Sequence, residues 1–316
     1  MTTPLLAAHD VEVTYPGAAE PALAATSLAV HPGDAIGIVG ESGSGKTTLA
    51  RALVGLIAPT AGRMEVEGRP WASVKRSEPT RRHVQMIFQD PYASVNPRLT
   101  ARATVAEVFR VWDGVPRDEA DERAARLLAE VGLPRDAFDR RPTRLSGGQC
   151  QRVGIARALA CSPRALGADE PTSSLDVSGQ AQILNLILEL RATHDLALVL
   201  ISHDLAVVRY VTEQALVMYR GRVVEQGPTG RLFEEPAHPY TRALVDSIPG
   251  REGPGQLVRN DVPATGCVFA PRCERLGAGC TDRRPPLPEH GVRSAACFYP
   301  VAPAAAPAPP VVESAA

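Results

Sequence analysis

Eight consecutive residues, Gly40-Glu41-Ser42-Gly43-Ser44-Gly45-Lys46-Thr47, follow the pattern G-x-x-x-x-G-K-[ST]. Glycines in such a loop let backbone N–H groups curl around a phosphate, and a helix starting where the loop ends adds positive potential. Lys46 would reach the β- and γ-phosphates of a nucleotide, and Thr47 would bind Mg²⁺. Only two of the 34 basic residues are lysines, Lys46 and Lys75, and one of them falls where this chemistry needs a compact cation. A second group, Leu145-Ser146-Gly147-Gly148-Gln149, could aim a hydroxyl and N–H groups at a phosphate, because Ser146 is a natural N-cap with two glycines behind it. A carboxylate pair, Asp169-Glu170, offers a metal ligand and a general base. Four cysteines, Cys267, Cys273, Cys280 and Cys297, are spaced C-x5-C-x6-C-x16-C. That spacing matches neither the usual C-x2-4-C zinc pairs nor a c-type haem site, and four thiolates can hold zinc or an iron–sulfur cluster.

The elements that must position these groups are legible around them. Val11, Val13 and Tyr15 alternate with polar residues up to Pro16-Gly17, which predicts an edge strand and a turn. Leu28–Val30, Met64–Val66 and Val84–Phe88 read as further strands. Ala35–Val39 is a compact apolar run entering the glycine loop, and 47–57 has helical periodicity. Strand, loop and helix in that order announce an α/β nucleotide-binding core. From about Ala101 to Leu133 the pattern is helical, with Ala124, Leu127, Leu128 and Val131 as one apolar stripe. Ala165–Ala168, Leu196–Ile201 and Gln214–Met218 read as strands separated by helices, so a mainly parallel, buried sheet is expected. Near Ile248 the composition turns to Pro and Gly, predicting a core over 1–248, a linker over 249–265, a cysteine-rich module over 266–300 and a disordered Ala/Pro tail over 301–316.

The phosphate loop by itself does not choose among kinases, GTPases and transport ATPases, although an N-K-x-D base-reading motif is absent. The run Leu145-Ser146-Gly147-Gly148-Gln149, followed by Gln151-Arg152-Val153 and Asp169-Glu170-Pro171-Thr172, does choose. Over residues from about Leu5 to Ile248 the chain resembles the ATP-binding cassette (ABC) family, whose signature is LSGGQ. The resemblance implies a P-loop α/β core with an antiparallel β subdomain and a helical subdomain at about 101–163. It also implies roles. ATP is held by Gly40, Ser42, Gly43, Ser44, Gly45, Lys46, Thr47 and Thr48, with Tyr15 stacking on adenine. Gln89 matches the Q-loop glutamine that touches Mg²⁺ and the attacking water, and Asp169 matches the Walker B carboxylate on Mg²⁺. Glu170 matches the general base, and His203 the switch histidine on the γ-phosphate. Ser174-Leu175-Asp176 resembles the D-loop, with Asp176 at the nucleotide. Ser146, Gly147, Gly148 and Gln149 of one subunit close over the nucleotide of a second, so a partner cassette, identical or paralogous, is implied. His194 is expected on a solvated helix end, and Cys150 and Cys161 to be inert. Three residues depart from the family pattern: Gly167 before Asp169, Gly179 inside a predicted helix at a cost of about 1 kcal/mol relative to alanine, and Cys150 after the signature.

Three stretches resemble the oligopeptide/dipeptide (and nickel) importer branch: Phe88 to Arg98, Gln180 to Leu186, and His238-Pro239-Tyr240-Thr241-Arg242-Ala243-Leu244. In that branch the four-cysteine segment binds a four-iron cluster, so Cys267, Cys273, Cys280 and Cys297 are expected to hold [4Fe-4S], with Zn²⁺ as the alternative. The implied function is an ATPase subunit at the cytoplasmic face of the inner membrane. It would act with two transmembrane permease subunits and, indirectly, an external solute-binding protein. The competing reading is a soluble ABC ATPase acting on DNA or ribosomes with a zinc module. Against it, the 34 basic and 35 acidic residues nearly cancel, and 251–300 holds seven arginines against five acids, so no nucleic-acid partner is expected. No apolar run exceeds Leu196–Ile201, and no signal peptide is visible at the start.

Overall fold

The first strands, β1 (Leu6–Val13) and β2 (Leu23–Val30), pair antiparallel. β3 (Ala35–Val39) follows, with all five residues buried, and the glycine loop leads directly into α1 (Lys46–Leu53). β4 (Ala61–Val66) and the two-residue β5 (Arg69–Pro70) return beside β1, giving an antiparallel sheet in the order β2-β1-β4-β5. β6 (Val84–Ile87), β7 (Ala165–Asp169), β8 (Ala197–Ser202) and β9 (Gln214–Tyr219) join β3 in parallel, in the order β9-β3-β8-β7-β6. β3, β7 and β8 are buried along their whole length, which explains their continuous apolar sequence. One hydrophobic cluster joins Leu6, Val11 and Val66 of the antiparallel sheet to Ile38 and Ile201 of the parallel one through Leu49 and Leu53 of α1. Burying each of these leucines contributes about 1.5–3 kcal/mol, so the helix that receives the loop is anchored on both sheets.

The helices follow local signals. α2 (Ala101–Asp113) is capped by Thr100, whose hydroxyl accepts the Ala103 N–H at 3.2 Å. The helical stretch predicted over 101–133 is two helices: Gly114 takes a left-handed conformation (φ 66°) that ends α2, and Pro116 precedes α3 (Arg117–Glu130). Both pack with α4 (Gly147–Leu159). α5 (Val177–His194) and α6 (Leu205–Val211) flank β8. α1 stops at Leu53 rather than at Ile57, where the Trp71 indole N–H donates to the Leu53 carbonyl at 2.9 Å. β1 ends at Val13, so Tyr15 lies beyond the strand predicted to contain it.

The computed structural model describes residues 3–248, 265–288 and 293–301. The chain divides into two units, Met1–Val223 and Val224–Ala316. This division falls at the start of β10 (Arg222–Pro228), ahead of the boundary expected near Ile248. The sequence break there is compositional, whereas the strand already pairs with the distant β11 (Ser294–Ala295). The second unit also contains α7 (Thr229–Glu234) and α8 (Pro239–Asp246). The predicted linker lies almost wholly outside the described residues, as does the predicted tail beyond Val301. Among the described residues no helix is long and apolar enough to cross a membrane.

Candidate nucleotide cleft and cysteine cavity

In the first unit the loop between β3 and α1 opens on a cleft of ≈ 590 Å³, lined by Ala22, Ser42 to Thr48, Gln89, Glu170 and His203. That volume is in the range of small-molecule and cofactor sites. Gly45 caps α1 at φ 100°, and a Cβ there would lie 2.5 Å from the Ala22 carbonyl oxygen, so neither the conformation nor the space admits a side chain. Gly221 donates its N–H to the Ser44 carbonyl at 2.9 Å and accepts from Ala24 at 2.8 Å, which holds the loop from behind. Ala22 and Gly221 escape sequence reasoning because their role depends on contacts more than twenty residues away.

Lys46 is buried, and its ammonium donates to the carbonyls of Gly40 at 2.8 Å and Glu41 at 2.9 Å. Burial lowers its pKa, while the nearby carboxylates of Glu170, Asp169 and Glu41 act the other way. Thr47 donates its hydroxyl to Asp169 Oδ1 at 3.0 Å. Asp169 ends β7 and is 2 % exposed; burial raises its pKa against the opposing Thr47 hydrogen bond and the Arg51 guanidinium. A hydroxyl and a carboxylate so paired are the oxygen donors that Mg²⁺ takes, so these residues fit that ion.

Glu170 has a left-handed backbone (φ 44°), uncommon for a non-glycine residue and most frequent at functional sites. Its amide donates to the Ile201 carbonyl of β8 at 3.0 Å. Gln89 Nε2 donates to Glu170 Oε2 at 3.1 Å, and His203 Nδ1 lies 3.2 Å from Glu170 Oε1. Residues separated by more than eighty positions thus meet on one carboxylate. Tyr15 is 41 % exposed, and its hydroxyl lies 3.2 Å from Thr48 Oγ1.

The signature residues lie elsewhere. Ser146 caps α4 and accepts the Gln149 N–H at 3.2 Å, while its own N–H donates to Gln149 Oε1 at 3.1 Å, a reciprocal capping box. Among the described residues, the cleft's lining includes none of Ser146, Gly147, Gly148 and Gln149. Asp176 is not in the lining either; it caps α5, accepting the Gly179 N–H at 2.9 Å. His194 ends α5 with Nε2 2.6 Å from Glu130 Oε1.

The three departures have local causes. A Cβ on Gly167 would meet Val54 at 3.3 Å, and a Cβ on Gly179 would lie 2.7 Å from the Asp176 carboxylate. Gly179 sits in the first turn of α5, not its middle. Cys150 is fully buried and donates its thiol to the Pro91 carbonyl at 3.4 Å. Burial first, and Asp90 second, push that thiol up to about 11.

In the second unit Cys267, Cys273, Cys280 and Cys297 line one small cavity with His238 and Phe269. Four sulfur donors around one apolar cavity are the donor chemistry of a metal–thiolate group. The cavity as it stands is about the size of one water molecule, and among the described residues no three His, Cys, Asp or Glu side chains are grouped to hold a metal ion. Burial raises the thiol pKa values of Cys267, Cys273 and Cys297. The frame around the cavity is polar and buried. Glu225, 0 % exposed, accepts the N–H groups of Ala237 and His238, each at 2.8 Å, and Arg293 Nε lies 3.4 Å from it. Phe269 packs 5.4 Å from the Tyr240 ring and 5.8 Å from the His238 ring. Burial holds the His238 ring neutral, pushing its pKa down to about 4.

Comparison with known proteins agrees with this division. Residues 23–173 match the family described as "ABC transporter", and residues 224–280 match "Oligopeptide/dipeptide transporter, C-terminal region". The chain is 41 % identical over 286 residues to the oligopeptide transport ATP-binding protein OppF of Escherichia coli K12, covering 86 % of each chain. It is 42 % identical over 289 residues to the di/tripeptide transport ATP-binding protein DppF of Pseudomonas aeruginosa, covering 88 % of this chain and 90 % of that one. Among solved structures, a dimeric ATP-binding cassette in a post-hydrolysis state bound to ADP and Pi matches with a TM-score of 0.65 at 30 % identity. That match covers 71 % of this chain and 98 % of the other.

Proposed function

The chain belongs to the ATP-binding proteins of ABC transporters, in the oligopeptide/dipeptide branch, and from this we propose how its residues work. It hydrolyses ATP to power peptide import. The observation that carries the assignment of roles is the convergence of Lys46, Thr47, Gln89, Glu170 and His203 on one cleft. In our reading the backbone N–H groups of Gly43 to Thr47 and the Lys46 ammonium bind the β- and γ-phosphates, and Tyr15 stacks on adenine beside Thr48. Thr47 and Asp169 hold Mg²⁺, which when bound neutralises phosphate charge. Glu170 is the general base; Gln89 orients it and the attacking water, and His203 contacts the γ-phosphate.

Ser146 to Gln149 would complete the site of a second cassette rather than their own. The support is that they cap α4 in a ready anion-binding arrangement yet stand outside the cleft's lining. Partners would be that second cassette and two membrane permease subunits, with this chain peripheral at the cytoplasmic face. For the segment 266–300 we carry the reading of a cysteine module holding a [4Fe-4S] cluster. What supports it is a complete set of four thiols on one apolar cavity; zinc is the competing occupant. Anaerobic purification with iron, sulfide and zinc analysis tests this, and zinc without iron would sink the cluster.

The catalytic assignment is tested by ATP hydrolysis in the assembled complex, comparing wild type with Glu170→Gln. Loss of roughly 10²–10⁴-fold is expected. Unchanged hydrolysis would overturn the role of Glu170.

A further inference from the structure

The sequence His238-Pro239-Tyr240 takes no part in the nucleotide chemistry, yet it is among the most buried polar segments of the second unit. His238 is 1 % exposed and Tyr240 is 0 % exposed. His238 caps α8: its Nδ1 accepts the Tyr240 N–H at 3.0 Å, and its own N–H is taken by Glu225. Because Nδ1 is an acceptor, the proton of the neutral ring sits on Nε2. That Nε2 is buried without a hydrogen-bond partner. Buried donors are rarely left unpaired, and one that is calls for an absent acceptor. The ring carrying it lines the cavity of the four cysteines. Sulfur in a thiolate or sulfide is an acceptor of the kind this donor lacks, and hydrogen bonds to the sulfurs help set the potential of iron–sulfur groups.

We propose that His238 belongs to the cysteine site as a positioning residue, its Nε2–H donating to a sulfur of the metal–thiolate group held by Cys267, Cys273, Cys280 and Cys297. The inference rests on the reading of those cysteines as a metal site. It gives the His-Pro-Tyr segment two tasks in one side chain: Nδ1 starts a helix and Nε2–H serves the sulfur. Glu225, by fixing the backbone of Ala237 and His238, sets the direction of that donor.

The two nitrogens can be separated by substitution. In His238→Asn the amide oxygen takes the place of Nδ1 and keeps the cap, while the cavity donor is gone. In His238→Gln the amide N–H reaches the place of Nε2, while the cap is lost. The full chain and both variants are purified anaerobically and reconstituted with ferrous iron and sulfide. Iron release to a chelator and the midpoint potential are then measured, with thermal unfolding as the control for folding. His238→Asn is expected to release iron at least about tenfold faster, at a lower potential and with wild-type unfolding behaviour. His238→Gln is expected to stay within about twofold of wild type. Equal behaviour of the two variants, or an Asn variant that matches wild type, would overturn the donor assignment and leave the cysteine site standing. A wild-type chain that takes up neither iron nor sulfide would remove the underlying site, and the inference with it.

Discussion

In the nucleotide cleft of the first unit, Lys46, Thr47, Gln89, Asp169, Glu170 and His203 each contact another named group. In the cysteine cavity of the second, Cys267 and Cys280 are buried, Cys273 and Cys297 are half-buried, and the His238 Nε2–H has no partner. The cleft is open and its charged groups are paired with one another or with backbone carbonyls, although the Ser44 hydroxyl is buried without a partner, so a ligand can exchange one set of contacts for another. The cavity is small, apolar and incompletely satisfied, so its polar groups depend on something filling it or on the frame around it. Substitutions in the first should therefore change binding and rate with little effect on stability, and substitutions in the second should change stability first.

The largest expected effect follows from Glu225. Replacing it by alanine strands two buried N–H groups and leaves Arg293 to its longer contact with Glu235 at 3.9 Å, so Glu225→Ala should cost about 3–5 kcal/mol. Chemical denaturation of the full chain measures this; a cost below about 1 kcal/mol would erase the contrast between the two regions. Next comes Lys46→Ala, which should weaken ATP binding by about 3 kcal/mol, roughly a hundredfold in Kd, because it deletes a charge-assisted phosphate contact. Titration with a fluorescent nucleotide reads the affinity, and an unchanged denaturation midpoint completes the contrast. Gly45→Ala should be worse for the loop than a helix propensity scale suggests. Its Cβ would press on the Ala22 carbonyl in a left-handed backbone, costing over about 1 kcal/mol. The same titration and denaturation register it. The smallest effect is at Cys150: with its pKa pushed up to about 11, only roughly one thiol in a thousand is ionised at pH 8. Mass spectrometry should find Cys150 unmodified by iodoacetamide in the native chain.

The same contrast governs what could be read from the sequence. Ser42 to Thr48 form a run of adjacent residues whose chemistry is set by local backbone geometry, and Glu170 follows Asp169 at a strand end, so these parts of the cleft's lining were legible in the sequence. The strands flanking them were legible too, because β3, β7 and β8 are buried on both faces and read as unbroken apolar runs. What escaped depends on meetings between distant segments. Ala22 and Gly221 clamp the loop through backbone contacts with segments more than twenty residues away, which a local reading of either residue does not reveal. Tyr15 continues the strand alternation but lies past the last paired residue of β1. Glu225 looked like one acid among many until β10 brought it under Ala237 and His238. The compositional break near Ile248 misled for the same reason, since the second unit begins with a strand whose partner comes seventy residues later.

The most direct test of the whole account is peptide uptake into proteoliposomes carrying the assembled complex, with ATP supplied on the side of this subunit. Uptake that needs ATP and falls to background with Glu170→Gln is the predicted result. Uptake that proceeds equally well with the Glu170→Gln subunit, or without ATP, would contradict it.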